Sequence, residues 1–449
     1  MPKSRQVSPK YSEERLTAAL VCYCLMTAMV PLLSVYVGFE LSEKITALVI
    51  LVFCALLALE IYTLITGNRN IVPYAVAKTA ALLLLPALYT CLLIFVLLWL
   101  PSMSWDGLSH WLVHSHKMIV AQSTDIDGYF HHPRLYSAAI ALFGSATSLY
   151  SATETYPAFL SVISVLSVAC AVHLFCRGFE IPLNFTIYAT LVLAMLPIFE
   201  NHVYLFGYTE IPIFTLFFCG MTFTLLYTKS HRIWHMILAF SFYVSLGLMK
   251  LYSPIYSIIG VASLLSVAVP RLFVASIMVF MSVVTATILF QSELLISICD
   301  RKFGLSVEKE LFYVAWYTFP MVAPSFLEVF SIYKTSFISN MSFSILASLV
   351  FFCVGLQFKN IRPVSSARQR AVGIPLVSLL VFEFLFLFTP YGFKTAVPGA
   401  DTGFSRQNIL VVAPCFFIIL VTVFRLIDSR NSNVVGARND TTQTVRSNG

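Results

Sequence analysis

Charge is what this chain lacks most. Only 11% of its 449 residues are Asp, Glu, Lys or Arg, under half the share of about 25% usual in a soluble domain. With 59% hydrophobic residues and a mean hydropathy of +0.85, a water-soluble globular fold is excluded. Paired cysteines are missing as well. Ten cysteines are scattered without a single CxxC pair, mostly inside apolar runs (Cys22, Cys24, Cys54, Cys219), so neither a disulfide framework nor a zinc site is indicated. No small-residue cleavage site follows the first apolar run, which reads as an uncleaved anchor. No internal repeat stands out. The net charge of +7 sits mostly at the two ends and in short loops, the distribution that orients a membrane protein; it gives no reason to invoke nucleic acid.

What is present is a series of apolar runs of about 20 residues, the length a helix needs to cross the hydrocarbon. They lie near 16–38, 45–66, 78–100, 155–176, 184–206, 211–228, 234–250, 253–269, 272–290, 341–358, 371–389 and 409–427. Lys3, Arg5, Lys10 and Arg15 put the N-terminus inside, and so do Arg69 and Lys78 for the second loop. The expected fold is therefore all-α: a polytopic bundle of about a dozen spans with both termini inside. A single membrane domain covers 1–427, and 428–449 is a polar cytoplasmic tail expected to be disordered. Leu135–Tyr150 is apolar but short and broken by Gly144, so it reads as juxtamembrane or re-entrant. Were it a crossing, Lys229, Arg232, Arg271 and the group Lys359, Arg362, Arg368 and Arg370 would all fall outside. A second outer loop, 291–340, carries Asp300, Arg301, Lys302, Glu308, Lys309, Glu310 and the aromatic stretch Phe312–Phe319. It is expected to lie along the interface as amphipathic helices.

The first outer loop, 101–154, holds the densest chemistry. Ser104–Tyr136 reads SWDGLSHWLVHSHKMIVAQSTDIDGYFHHPRLY and gathers Asp106, His110, His114, His116, Lys117, Asp125, Asp127, His131, His132 and Arg134 among Trp105, Trp111, Tyr129 and Tyr136. A carboxylate can accept a hydroxyl proton and cations can steady a departing phosphate, a pairing that suits transfer of a group from a phosphate to a hydroxyl. Asp106, beside the outer end of the third span, is the candidate base. Lys117, His132, Arg134 and Arg406 are candidate phosphate partners, Arg through two oxygens at once and Lys as a point charge. His110 and His114 are spaced to share a helix face, but no Glu lies between them as a zinc protease requires.

These runs, WDGLSHWLVHSHKM followed by HHPRLY, resemble the first outer loop of bacterial type C glycosyltransferases of the polyprenyl-phosphate-sugar-dependent kind. Gly207-Tyr208-Thr209-Glu210-Ile211-Pro212 is similar to that family's second acidic motif, Leu248-Met249-Lys250 to its L-x-K element, and Ser405-Arg406 to a Ser-Arg before its last helix. The resemblance runs in order from Ser104 to Pro414. It departs in having Glu210 for the usual Asp and Leu251-Tyr252-Ser253 where Asn-Glu-Gly follows the lysine. It implies Asp106 and Glu210 as catalytic carboxylates, and Lys117, His132, Arg134, Lys250 and Arg406 at the donor phosphate. It also implies an inverting transfer to a cell-surface glycan or lipid on the outer face of a bacterial cytoplasmic membrane. No cofactor or resident metal is implied, although members of the wider fold that use Mg²⁺ or Mn²⁺ hold it through paired acidic motifs, the places of Asp106 and Glu210 here.

Ordinary roles are open to the same residues. Asp106 is placed to cap a helix, Lys117 to snorkel toward headgroups, and Glu210 to complement a helix dipole. Trp105 and Trp111 read as interfacial anchors rather than sugar platforms. Glu60 and Glu383 fall inside apolar spans, where an ionisable group suggests function; Glu60 lies near enough to the inner end to be wet, whereas Glu383 is deeper. The rival classes are an O-antigen-type polymerase or ligase, a lipid-glycan transporter or flippase, and a non-catalytic assembly subunit.

Overall fold

The first apolar run folds as one rod with a widened turn in it: α1 (Pro9–Cys24), a five-residue π-helical segment (Leu25–Met29) and α2 (Val30–Val37). Pro31 stands at the start of α2, where its missing N–H and bulky ring disrupt a regular α-helical ladder, and the wider turn directly before it absorbs the mismatch. Hydroxyls help the backbone there: Thr27 Oγ1 donates to the Tyr23 carbonyl (2.9 Å) and Ser34 Oγ to that of Pro31 (2.6 Å). Gly38, at φ 86°, ends the rod in a conformation that suits glycine, and α3 (Phe39–Gly67, 29 residues) folds back along it. The computed structural model describes residues 9–67, 111–124, 135–147, 155–181, 209–249, 253–270, 307–308, 311–314, 317–320, 326–332, 334, 366–387 and 409–422.

The remaining longer helices are α4 (Leu112–Ala121), α5 (Leu135–Ala146), α6 (Thr155–Gly178), α7 (Glu210–Ser230), α8 (Ile233–Gly247), α9 (Ser253–Ala268), α10 (Ser366–Phe386) and α11 (Ile409–Thr422), and residues 326–332 form a short helix. By length and composition, four described segments can cross a membrane: Ser12–Val37, Phe39–Thr63, Leu160–Gly178 and Glu210–Ser230; four shorter apolar helices accompany them. The chain is a helical membrane protein. Helix α3 presents Leu48, Leu51, Leu59 and Tyr62 outward, which suits a surround of hydrocarbon rather than water. Helix α5 has only 12 residues, all but the last of them buried. At 1.5 Å per residue it is about 18 Å long, short of the ~30 Å hydrocarbon core.

Helix α7 forms the axis of the bundle and is buried almost end to end. Its hydroxyls turn back on their own helix, Thr215 to the Ile211 carbonyl, Thr222 to Phe218 and Thr224 to Gly220, so an all-round buried helix carries no wasted donors. Tyr243 of α8 is gripped between two glycines. A Cβ on Gly220 of α7 or on Gly260 of α9 would stand 2.5 Å or 2.2 Å from its ring. These two hydrogens let three helices close on one aromatic, whose hydroxyl reaches Thr224 Oγ1 at 3.2 Å. Phe417 of α11 fills the opposite flank, stacked on Phe218 at 4.5 Å and edge-on to Phe175 of α6.

Polar contacts fix the relative directions of the rods. Arg370 Nε donates to the Ser266 carbonyl (3.0 Å) and Ser263 Oγ to that of Ala371 (3.0 Å), so α10 begins where α9 ends. Lys229, in the last turn of α7, meets the Gly178 carbonyl (2.6 Å) and Glu180 (3.1 Å) just beyond α6. Both Lys229 and Arg368 lie over the Phe179 ring. Arg15, Arg177, Lys229, Arg232, Arg368 and Arg370 thus share one end of the bundle, called here the basic end.

Two expectations need correction. The aromatic stretch of the 291–340 segment is a three-stranded antiparallel meander, not amphipathic helices: β1 (Val307–Glu308), β2 (Leu311–Val314) and β3 (Tyr317–Pro320), with Val307 opposite Phe312 and Phe312 opposite Phe319; residues 326–332 of the same segment are helical, as expected. Phe, Tyr, Val and Thr favour strands, and two residues between successive strands is hairpin spacing. Glu60, in turn, is not wet. It is 3% exposed and sits between Arg177 Nη2 (2.9 Å to Oε1) and Arg15 Nη2 (3.5 Å to Oε2), with Ser12 Oγ donating to Oε1. Its neighbours come from helices too far away in sequence for hydropathy to reveal.

Candidate functional site

Glu210 opens α7 directly after Thr209, which occupies the N-cap position. A helix N-terminus favours a carboxylate through its unsatisfied N–H groups and dipole, so the local sequence alone sets a negative group at this end of the axis. Packing then encloses it, leaving it 5% exposed. Helices α5 and α9 bring tyrosines to the same place: Tyr136 and Tyr256, both buried, lie within electrostatic reach of Glu210.

Glu383 completes the group from α10. Tyr256 feels this second carboxylate too, and the ring of the adjoining Phe382 meets Tyr256 edge-on at 5.8 Å. Glu383 is 1% exposed, and its Oε1 accepts no hydrogen bond among the described residues. A buried carboxyl left so is expensive to retain, so Glu383 is poorly explained as a packing residue.

The wall on the other side comes from the 101–154 segment. Trp111, just before α4, is 2% exposed and packs edge-on against Tyr136 at 5.3 Å, which corrects its reading as an interfacial anchor. Ser115 Oγ donates to the carbonyls of Trp111 (2.6 Å) and Ser137 (2.9 Å) and locks α4 onto α5. Lys117 stands on the exposed face of α4 and makes no ion pair with a described carboxylate, so the structure does not bring it to Glu210. Asp106, His132, Arg134, Lys250 and Arg406 lie outside the described residues. So do Trp105 and His110, and with them the 428–449 tail.

The start of α7 and of α9, the end of α10 and the Trp111–Tyr136 contact all fall at the end of the bundle opposite the basic end. Two carboxyls and two phenols converge there, a set able to accept a proton from a bound hydroxyl and to orient it by hydrogen bonds. Among the described residues no three His, Cys, Asp or Glu side chains converge as a metal site would need. Sequence reasoning singled out Glu210 and noted Glu383 without a role. Tyr136 lay inside the HHPRLY element, and Tyr256 carried no signal beyond its place near a helix start. Comparison with protein-family models, with curated proteins and with solved structures returns no match to this chain.

Proposed function

We propose that this chain is a membrane glycosyltransferase of about a dozen spans in a bacterial cytoplasmic membrane. It takes a sugar from a polyprenyl-phosphate carrier and adds it to a cell-surface glycan or lipid. The observation that carries the reading is the enclosed Glu210, with Tyr136 and Tyr256 in reach, at the end away from the basic residues. The positive-inside rule keeps the basic end in the cytoplasm, which turns the Glu210 end outward, where the lipid carrier presents its sugar. The described stretch that follows Asp106 in sequence joins the bundle on that side through Trp111 and Tyr136.

In this reading the Asp106 carboxylate takes the proton of the acceptor hydroxyl, whose oxygen forms a bond to the anomeric carbon from the face opposite the phosphate. The bond from that carbon to the phosphate oxygen breaks as the new one forms, and the configuration inverts. The lipid phosphate leaves with the electron pair, steadied by His132, Arg134, Lys250 and Arg406, while Lys117, on the exposed face of α4, is not assigned to it. Glu210 orients the acceptor from within the helix bundle. The lipid phosphate is a stable anion, so the step needs no general acid.

The test is sugar transfer in membranes supplied with donor lipid. Asp106→Asn and Glu210→Gln are each expected to lower transfer about a hundredfold or more at normal protein abundance. Unchanged transfer in both variants refutes the proposal. A lipid-glycan transporter is the second reading. It is favoured by the π-helical segment Leu25–Met29 within the Ser12–Val37 rod, since irregular helices line transporter sites. Intact translocation in Asp106→Asn, with no change in glycan on deletion, would decide for it.

A further inference from the structure

At the basic end, an open groove of about 750 Å³ runs between α1 and α8. Its rim is charged in both signs, with Glu13 and Glu14 from α1 and Arg232 from the turn before α8. Its flank and foot are Thr17, Val21 and Trp234. Glu13 and Val21 are eight residues apart on one helix, so the groove descends about 12 Å from charge to hydrocarbon, the depth from a phospholipid headgroup to its upper acyl chain. Beside Trp234, helix α8 exposes Ile233, Ile237, Phe240 and Val244, a stripe at helical spacing along which an acyl chain can lie.

The rim charges are partly committed and partly open. Glu13 is held loosely, 3.7 Å from Arg232 Nη1 and 3.6 Å from Nε2 of the buried His235. Glu14 is exposed and makes no ion pair with a described residue. Arg232 is 57% exposed and spends one nitrogen on Glu13, leaving guanidinium donors for a phosphate. Two carboxylates against one guanidinium disfavour an anionic headgroup and call for a cation beside the phosphate. A primary ammonium donates three hydrogen bonds, whereas a trimethylammonium donates none.

We infer that this groove binds a phospholipid with an ethanolamine headgroup: the ammonium sits on Glu14 and Glu13, the phosphate on Arg232, and one acyl chain along Val21 and the α8 stripe. The site is independent of the sugar-transfer reading, since it lies at the other end of the bundle.

The experiment uses the full chain in nanodiscs of equal ethanolamine, choline and glycerol phospholipids with matched acyl chains, and counts the lipids retained by native mass spectrometry. Ethanolamine lipid is expected to be retained about tenfold over choline lipid, the ratio of a single good charge-assisted contact. E14Q brings the two to near parity, and R232Q lowers retention of both. As a measurement without variants, the thermal midpoint is higher in ethanolamine than in choline discs. Equal retention of all three lipids, preference for the glycerol lipid, or a preference unchanged in E14Q overturns the inference. Equal midpoints do the same.

Discussion

The two ends of the bundle treat buried carboxylates in opposite ways. At the basic end Glu60 has its charge answered: Arg177 and Arg15 approach from α6 and α1, Ser12 adds a hydrogen bond, and Arg15 Nη1 also reaches Thr63 Oγ1 at 2.9 Å. Arg177 Nε is oriented in turn by His173 Nε2 at 3.0 Å. That is a clamp across three helices. At the far end Glu383 is buried with no ion pair among the described residues, and Tyr136 and Tyr256 stand within electrostatic reach of Glu210. The difference teaches where to look for chemistry: Glu60 has its charge answered by two arginines, whereas Glu383 is buried without an ion pair among the described residues, which makes it a candidate for a role beyond packing.

This contrast can be broken by substitution, beginning with the largest effect. Glu60→Leu leaves two arginines facing each other across α1 and α6 without their carboxylate. It is expected to destabilise the fold by about 3 kcal/mol, read as a lower unfolding midpoint in detergent and less protein in membranes. A midpoint within error of the parent would remove the clamp from the account.

Gly260→Ala probes the seam between the ends. The new methyl would stand 2.2 Å from the Tyr243 ring, so α8 and α9 must part, at a cost of about 2 kcal/mol. Tyr243→Leu in the same chain should recover part of that loss. If Gly260→Ala unfolds at the parental temperature, the glycine grip on Tyr243 is not what closes these helices.

Glu383→Leu sharpens the comparison by its sign. It removes a buried carboxyl and replaces it with an apolar group, so stability is expected to rise by about 1 kcal/mol, while transfer falls with abundance intact. A fall in stability comparable to that of Glu60→Leu would mean that both ends are built alike. The smallest effect belongs to Glu40→Gln. Its pairing with Lys44 at 2.6 Å is an exposed i,i+4 contact, and the unfolding midpoint should not move measurably.

Helix positions were legible because hydropathy is a local property. The apolar runs at 16–38, 45–66 and 211–228 correspond to the described segments Ser12–Val37, Phe39–Thr63 and Glu210–Ser230. The carboxylate at the head of α7 was legible for the same reason, since a Glu directly before an apolar run marks a helix start. Partners were not legible. Ser12 and Glu60 are 48 residues apart, and nothing in the span around Glu60 announces two arginines. Trp111 read as an interfacial anchor because tryptophan is amphipathic; only the arrival of α5 shows that Tyr136 covers it. The Phe312–Phe319 stretch was misread because an aromatic run satisfies either period, and strand pairing, a contact between segments, decided the matter.

The sequence by itself determined that this protein lives in a membrane, where its main rods begin and end, and that one of them starts with a carboxylate. Those follow from transfer free energy and helix-end chemistry, both settled within a few neighbouring residues. Only the tertiary structure decided that Glu60 is neutralised by arginine and that Glu383 is buried without an ion pair among the described residues. A charge in a low-dielectric interior is governed by whatever lies within a few ångströms of it, and in this bundle those neighbours come from other helices.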